Sequence, residues 1–406
     1  MKFGGTSVGD VDRIRNAATK VAAEIQRGHK VAVVVSAMSG VTDQLIGYCN
    51  AMSPRHDRRE HDAVVATGEQ ITSGLMALAL HQRGLSARSW QAWQVRLLTD
   101  STHAKARIVD IEAAALKRSI EDGEVGVMAG FQGVTEDGRI TTLGRGGSDT
   151  SAVALAVALK ADRCDIYTDV DGVYTTDPRI VMTARKMNRV SYEEMLELAS
   201  LGAKVLQVRS VEMAMRYRMP VQVLSTFANE VGSDLPGTLV TEGNEDMEKN
   251  SVTGIAYTRD EAKITLVKVE DKPGVAARVF VPLAHAGVNV DMIVQTASDD
   301  GKATDITFTI GKSDFDRALK VLEDEKTAIG FTKLVTAKNV TKISLVGTGM
   351  RSHAGVAATM FQTLAEKGIN IQVIETSEIN TSVLISDEYT ELALRALHTA
   401  YGLDAS

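Results

Sequence analysis

Residues 141–181 read TTLGRGGSDTSAVALAVALKADRCDIYTDVDGVYTTDPRIV, and no other stretch of the chain gathers as many residues able to do chemistry. Gly144, Arg145, Gly146, Gly147, Ser148 and Asp149 form a glycine-rich turn that carries one cation. Glycines let a backbone approach a ligand closely, and the start of a helix offers free N–H groups to an anion. Downstream, Thr168 and Asp169 lead into a tight polar run of Tyr174, Thr175, Thr176, Asp177, Pro178 and Arg179. A second constellation opens the chain, where Lys2, Phe3, Gly4, Gly5, Thr6 and Ser7 place a lysine at a glycine turn. This suggests a phosphate cradle, although not a Walker A loop, because the lysine precedes the glycines and GxxxxGK is absent. Ser36, Ala37, Met38, Ser39, Gly40, Val41 and Thr42 make another small-residue turn, and Glu69 stands in Thr67-Gly68-Glu69-Gln70.

These residues need a scaffold, and hydrophobic periodicity supplies one. Apolar residues on nearly every side of 150–160 predict a buried helix that Ser148 or Asp149 can cap. A short strand is expected at 165–168. Val11, Ile14, Ala18, Val21 and Ile25 recur at helical spacing, and 29–36 follows as an apolar run typical of a buried parallel strand. The region 52–62 reads as a surface loop and 62–83 as one long helix. Strands are expected at 88–98, 124–133 and 221–224, an amphipathic helix near 111–120 and another helix at 195–201. Strands alternating with helices predict an α/β domain with a mostly parallel sheet over residues 1–245. Ligands in such sheets bind beyond the carboxyl ends of the strands, where the turns at Gly4, Ser36, Arg145 and Asp169 would share one edge.

The polar stretch 241–246 reads as a linker, and an internal repeat follows it. Gly274-Val275-Ala276-Ala277 matches Gly355-Val356-Ala357-Ala358, and at the same offset Phe280 meets Phe361, Leu283 meets Leu364, Gly287 meets Gly368 and Asn289 meets Asn370. The register predicts two βαββαβ modules, at about 252–332 and 341–406. Met247 stands at the linker, where an internal start would yield a separate regulatory chain.

Composition narrows the function classes. The chain has 406 residues, 44% hydrophobic and 24% charged, as in an ordinary globular protein. Aromatic content of 4% argues against base-stacking platforms, and a net charge of -7 against a nucleic-acid partner. Cys49 and Cys164 are the only cysteines, so neither a disulfide framework nor a cysteine metal site is expected. No apolar run looks long enough to cross a membrane and the N-terminus does not read as a signal peptide, so the expected location is cytoplasmic.

Taken in order, K-F-G-G-T-S, S-A-M-S-G-V-T-D, T-G-E-Q, L-G-R-G-G-S-D-T and T-D-V-D-G-V-Y-T-T-D-P-R resemble the aspartokinases of the amino acid kinase family. The tandem repeat resembles the ACT regulatory domains that follow their catalytic domain. The resemblance covers essentially the whole chain, and the fourth and fifth strings are its most specific parts. It implies a three-layer amino acid kinase domain at 1–245 followed by two ferredoxin-like ACT domains at 252–332 and 341–406. It further implies transfer of the ATP γ-phosphoryl group to the side-chain carboxylate of L-aspartate, with Mg²⁺, as the first step of lysine, threonine and methionine biosynthesis by the diaminopimelate pathway.

Residue by residue, the resemblance makes Lys2 the cation on the transferring phosphoryl group and Asp149 a group that orients the lysine or the substrate. Ser36, Thr42, Glu69, Arg145, Gly146, Gly147 and Ser148 would bind the substrate, Arg145 on its α-carboxylate and Glu69 on its α-ammonium. Lys2, Phe3, Gly4, Gly5, Thr168, Asp169, the run Tyr174 to Arg179, Lys204 and Val205 would form the nucleotide site. Protein ligands for the metal are not assigned. The turns of the two modules imply effector sites. One would use Asp271, Lys272, Pro273, Gly274, Val275, Ala276, Asn289, Asp291 and Gln295; the other Ser352, His353, Gly355, Val356, Asn370, Ile371, Ser377 and Glu378. Lysine and threonine are the implied effectors, and a homodimer or higher oligomer through the ACT domains the implied assembly. One departure stands out: relatives place several apolar residues before K-F-G-G, whereas here the first strand is a stub that threatens the positioning of Lys2. The start assigned too late and a sheet that tolerates a stub are both compatible with this. A sibling kinase acting on glutamate or N-acetylglutamate, and a non-catalytic amino-acid sensor, are the competing readings.

Overall fold

Lys2 and Phe3 form a strand of two residues, yet it lies inside an eight-stranded sheet. In the computed structural model, which describes residues 1–203, 205–243, 251–297, 303–351 and 355–404, Ala32–Val35 runs parallel to it on one side and Cys164–Thr168 on the other. The ladder continues past both ends. Met1 O accepts from Val34 N–H at 2.8 Å, Phe3 O accepts from Ser36 N–H at 3.1 Å, and Gly4 N–H donates to Tyr167 O at 3.1 Å. Phe3 is fully buried and stacks on Tyr167 with centroids 4.8 Å apart. Short as it is, this strand is held from two sides and anchored by an aromatic pair.

The described residues fall into two compact units. The first comprises, among these, residues 1–174, 186–200 and 205–243. Its main sheet has the order Arg189–Ser191, Thr238–Thr241, Val221–Ser225, Cys164–Thr168, Lys2–Phe3, Ala32–Val35, Val125–Ala129, Ala87–Trp90. All neighbours are parallel except Val221–Ser225 with Thr238–Thr241, in keeping with the expected α/β class. The stretches 88–98 and 124–133 do not form single strands. Leu97–Thr99 and Gln132–Val134 leave the main sheet and join Ile108–Ile111 and Ile140–Thr142 in a separate four-stranded sheet. The chain turns at Arg96 and Phe131, non-glycine residues at φ +38° and +67°, conformations that local preference disfavours and tertiary packing imposes.

Three helices differ from expectation. Gly147–Leu159 starts earlier than residue 150, because Gly146 at φ +68° supplies the cap and puts Ser148 and Asp149 in the first turn. The expected 52–62 loop is confined to 53–57, because Val41–Met52 ends at its start and Arg58–Val65 begins inside it. Ala66 separates Arg58–Val65 from Thr67–His81. The joined span Arg58–His81 is long and apolar enough to cross a membrane by length and composition, contrary to expectation. It nevertheless carries the buried carboxylates Asp62 and Glu69 and packs into the first unit as core.

The second unit comprises, among the described residues, 175–185, 201–203, 251–297, 303–351 and 355–404. Its six-stranded antiparallel sheet has the order Val290–Ala297, Ala303–Ile310, Gly254–Glu270, Lys333–Val346, Asn380–Ser386, Val373–Thr376. The repeat register is visible in the backbone: Gly274 and Gly355, at φ +91° and +111°, cap helices Val275–His285 and Val356–Glu366, each of 11 residues. The copies are not laid end to end. Gly254 to Thr258 pairs with Lys342 to Val346 in the sheet of the second copy, whereas Lys263 to Val267 pairs with Lys333 to Ala337 in that of the first. Each long strand therefore serves both copies. Thr175–Arg185 belongs to this unit through Ile255 N–H donating to Thr175 O at 2.7 Å and through Thr175 Oγ1 and His398 Nε2, 2.8 Å apart.

Candidate active site

Strand ends of the first unit converge on a cavity of about 1500 Å³. Gly4 follows Lys2–Phe3, Ser36 follows Ala32–Val35 and Thr168 ends Cys164–Thr168, so the cavity lies beyond the carboxyl edge of the parallel sheet. Lys2, Gly4, Gly5, Ser36, Thr42, Glu69, Arg145, Gly146, Gly147, Ser148, Asp149, Thr168 and Val205 all line it.

At its centre the Lys2 ammonium meets Asp149 Oδ1 at 2.6 Å, and both residues are buried. The helix start presents Asp149, and the stub strand presents Lys2. A side chain on Gly4 would come within 3.2 Å of Lys2 Nζ, so glycine there leaves room for the lysine head. Gly146 serves a second close approach: a Cβ would fall 1.8 Å from Gln207 Cγ, and its φ is left-handed besides. Arg145, between these glycines, is exposed and lines the cavity with no ion-pair partner among the described residues.

Glu69 is only 2% exposed. Its Oε1 accepts the Ala37 N–H at 3.0 Å, while Oε2 has no hydrogen-bond partner among the described residues. Burial pushes its carboxyl up to about 7, partly offset by the Ala37 N–H. A buried carboxylate oxygen left unpaired at a cavity wall is costly unless a cationic ligand arrives.

Other expected site residues lie elsewhere. The Phe3 side chain sits in the core and only its neighbours reach the cavity. Asp169 and Tyr174 do not line it, and the Tyr174 hydroxyl donates to Asp171 at 2.9 Å. Thr175 to Arg179 belong to the second unit, where Asp177 pairs with Arg179 at 2.7 Å. Lys204 is outside the described residues, as are Ser352, His353 and Met247.

Of the residues expected to bind effectors, Asp271 to Gly274 form an exposed turn before the first repeat helix, which begins at the buried Val275 and continues through the exposed Ala276. Asn289, Asp291 and Gln295 lie exposed at the edge strand that follows, and Asp291 is held by Lys342 Nζ at 2.6 Å. In the second copy Gly355 and Val356 start the helix, Asn370, Ser377 and Glu378 are exposed and Ile371 is half-buried.

Several cavity residues escaped the sequence reading. Lys105, Arg107 and Arg209 also line the wall. The Arg209 guanidinium donates to Leu143 O at 2.6 Å and to Ala106 O at 2.9 Å, bracing the loop that leads to Arg145. Just outside the cavity the fully buried Asp62 accepts from Thr142 Oγ1 at 2.7 Å, Ala104 N–H at 2.9 Å, Thr142 N–H at 3.1 Å and His103 Nδ1 at 2.9 Å. Nothing in the local sequence marks these residues, because their partners are far along the chain. Among the described residues no group of three histidine, cysteine or acidic side chains could hold a metal ion.

Residues 1–225 match the amino acid kinase family, and residues 263–327 and 343–401 each match an ACT domain. The chain is 54% identical to the aspartate kinase of Stutzerimonas stutzeri over 405 residues, covering 100% of this chain and 97% of the relative. Among solved structures it is similar to E. coli aspartokinase III in complex with aspartate and ADP, termed the R-state, with a TM-score of 0.80, 26% identity and 98% of each chain covered. The same enzyme in complex with lysine and aspartate, termed the T-state, gives a TM-score of 0.76 at 26% identity and the same coverage.

Proposed function

The chain belongs to the aspartate kinase family, and from that premise we propose that it transfers the γ-phosphoryl group of ATP to the side-chain carboxylate of L-aspartate, giving 4-phospho-L-aspartate. The observation that carries the reading is the buried Lys2–Asp149 pair facing the same cavity as the orphaned Glu69 oxygen. A carboxylate is already nucleophilic at neutral pH, so no strong base is required. Catalysis then rests on alignment and on neutralising charge as it develops.

In this reading Lys2 lies against the transferring phosphoryl oxygens, helped by the N–H groups of Gly4 and Gly5, and Asp149 holds the ammonium in place. Arg145 grips the α-carboxylate, for which a guanidinium fork is suited. Glu69 Oε2 takes the α-ammonium, while Ser36, Thr42, Ser148 and the glycines beside it shape the pocket. An N-acetylated substrate would leave that oxygen unpaired, which favours a free amino acid. Thr168 and Val205, which line the cavity, are the proposed nucleotide contacts. Mg²⁺ would accompany the ATP and be held chiefly by its phosphate oxygens.

The proposed division of labour is catalysis by 1–245 and feedback control by 252–332 and 341–406, with lysine and threonine as effectors and a homodimer or higher oligomer as the assembly. The proposed location is cytoplasmic, where ATP and aspartate are at hand. The test is ATP-dependent hydroxamate formation in hydroxylamine with aspartate, glutamate or N-acetylglutamate. Aspartate alone should react well, and Arg145→Ala should lose most of that activity. Equal use of N-acetylglutamate, or no reaction with aspartate, sinks the reading.

A further inference from the structure

Two parts of the cavity wall proposed to hold opposite ends of the amino acid come from distant segments, and one side chain joins them. Glu69 lies near the start of helix Thr67–His81, which follows helix Arg58–Val65 after the single residue Ala66. Arg145 lies on the loop after strand Ile140–Thr142. Asp62, in the first of those helices, is fully buried and does not itself line the cavity. Its carboxylate takes both the N–H and the hydroxyl of Thr142, so it fixes the residue from which the Arg145 loop departs. It also takes the N–H of Ala104, a cavity residue held at φ +67° although it is not glycine. A left-handed alanine is strained and persists only where its surroundings over-determine it. The two segments gripped by Asp62 are bonded to each other as well, Ala106 N–H donating to Thr142 O at 3.0 Å. His103 Nδ1 at 2.9 Å and His61 Nδ1 at 3.4 Å complete the shell.

We propose that Asp62 is a positioning residue that sets the separation between the Glu69 helix and the Arg145 loop, and so governs aspartate binding without touching substrate. A buried carboxylate with this many donors is rigid, because each shift breaks several charge-assisted bonds together. A neutral helix–loop contact would hold the fold but not the spacing. The inference rests on the functional reading above, since it concerns which substrate the two groups grip.

The test is steady-state hydroxamate kinetics with both substrates varied, alongside thermal melting. Asp62→Asn keeps the shape but turns an amide NH₂ toward donors that need an acceptor. It should raise the KM for aspartate by about tenfold or more, as misplacement of a binding group does, and leave the KM for ATP within about twofold. His103→Ala withdraws one donor and leaves the others, so it should fold readily and show the same split to a smaller degree. His103→Gln, which can still donate to Asp62, should restore it. Both KM values rising together, or a lower melting temperature with neither KM changed, overturns the proposal for whichever variant shows it. The wild-type rate with aspartate tests the functional reading, and the KM split tests the positioning, so the two failures are distinguishable.

Discussion

Glu69 couples stability to function through one oxygen. Its carboxyl sits at about 7 in the fold against an ordinary 4.5, raised by burial. The folded state thus binds a proton more tightly than the unfolded chain, and stability falls as pH rises from about 4.5 through 7. Fully ionised, the group costs on the order of 3 kcal/mol, because each tenfold change in proton affinity is worth about 1.4 kcal/mol. Glu69→Gln should therefore melt higher than wild type at pH 8 and no higher at pH 4.5, while the KM for aspartate rises steeply. Because the wild-type site needs an ionised Glu69, its own KM for aspartate should climb as pH drops below about 7. The dependence of stability on pH should weaken in the variant and not vanish, since burial also pushes Glu261 in the second unit up to about 7. A variant no more stable than wild type at pH 8 would contradict this account.

The helix Gly147–Leu159 owes its place to the residue before it. Gly146 combines a left-handed φ of +68° with contact against Gln207, whereas Gly84, at φ +76°, has open space around its would-be Cβ. Gly84→Ala should lose only the left-handed penalty, about 1–2 kcal/mol. Gly146→Ala must also displace Gln207, which shifts the helix start carrying Ser148 and Asp149. Urea unfolding of both variants should show the larger loss for Gly146→Ala, with a drop in kcat/KM that Gly84→Ala lacks. Equal losses would mean that the Gln207 contact carries no weight.

Across the whole second unit, the shared strands Gly254–Glu270 and Lys333–Val346 make the two repeat copies one mechanical object. An effector held by one copy then acts on a sheet that the other also uses. Moving an enzyme from mostly active to mostly inactive takes about 5.5 kcal/mol of differential binding, whereas one effector typically supplies about 1–3 kcal/mol. Lysine and threonine together should inhibit more than the product of their separate effects. Titration with each and with the mixture measures this, and Gln295→Ala should relieve it. Simple independent inhibition, or inhibition that Gln295→Ala leaves intact, would remove the shared-sheet account.

The α/β class, the glycine turns at Gly4, Gly144 and Gly146, the residues at the centre of the cavity and the register of the repeat were all legible in the amino-acid sequence. These were legible because each is local: a glycine at a tight turn or close approach, an apolar period, or a matched string of residues. Tertiary structure alone decided the rest. It moved Phe3 into the core, split two expected strands at Arg96 and Phe131, and assigned Thr175–Arg185 to the second unit. It also brought Asp62 to Thr142, 80 residues away, and Lys2 to Asp149. Burying a charge is unfavourable until partners from elsewhere in the chain surround it. No local pattern can announce such a residue, because what keeps it there is the set of donors that only the completed fold assembles.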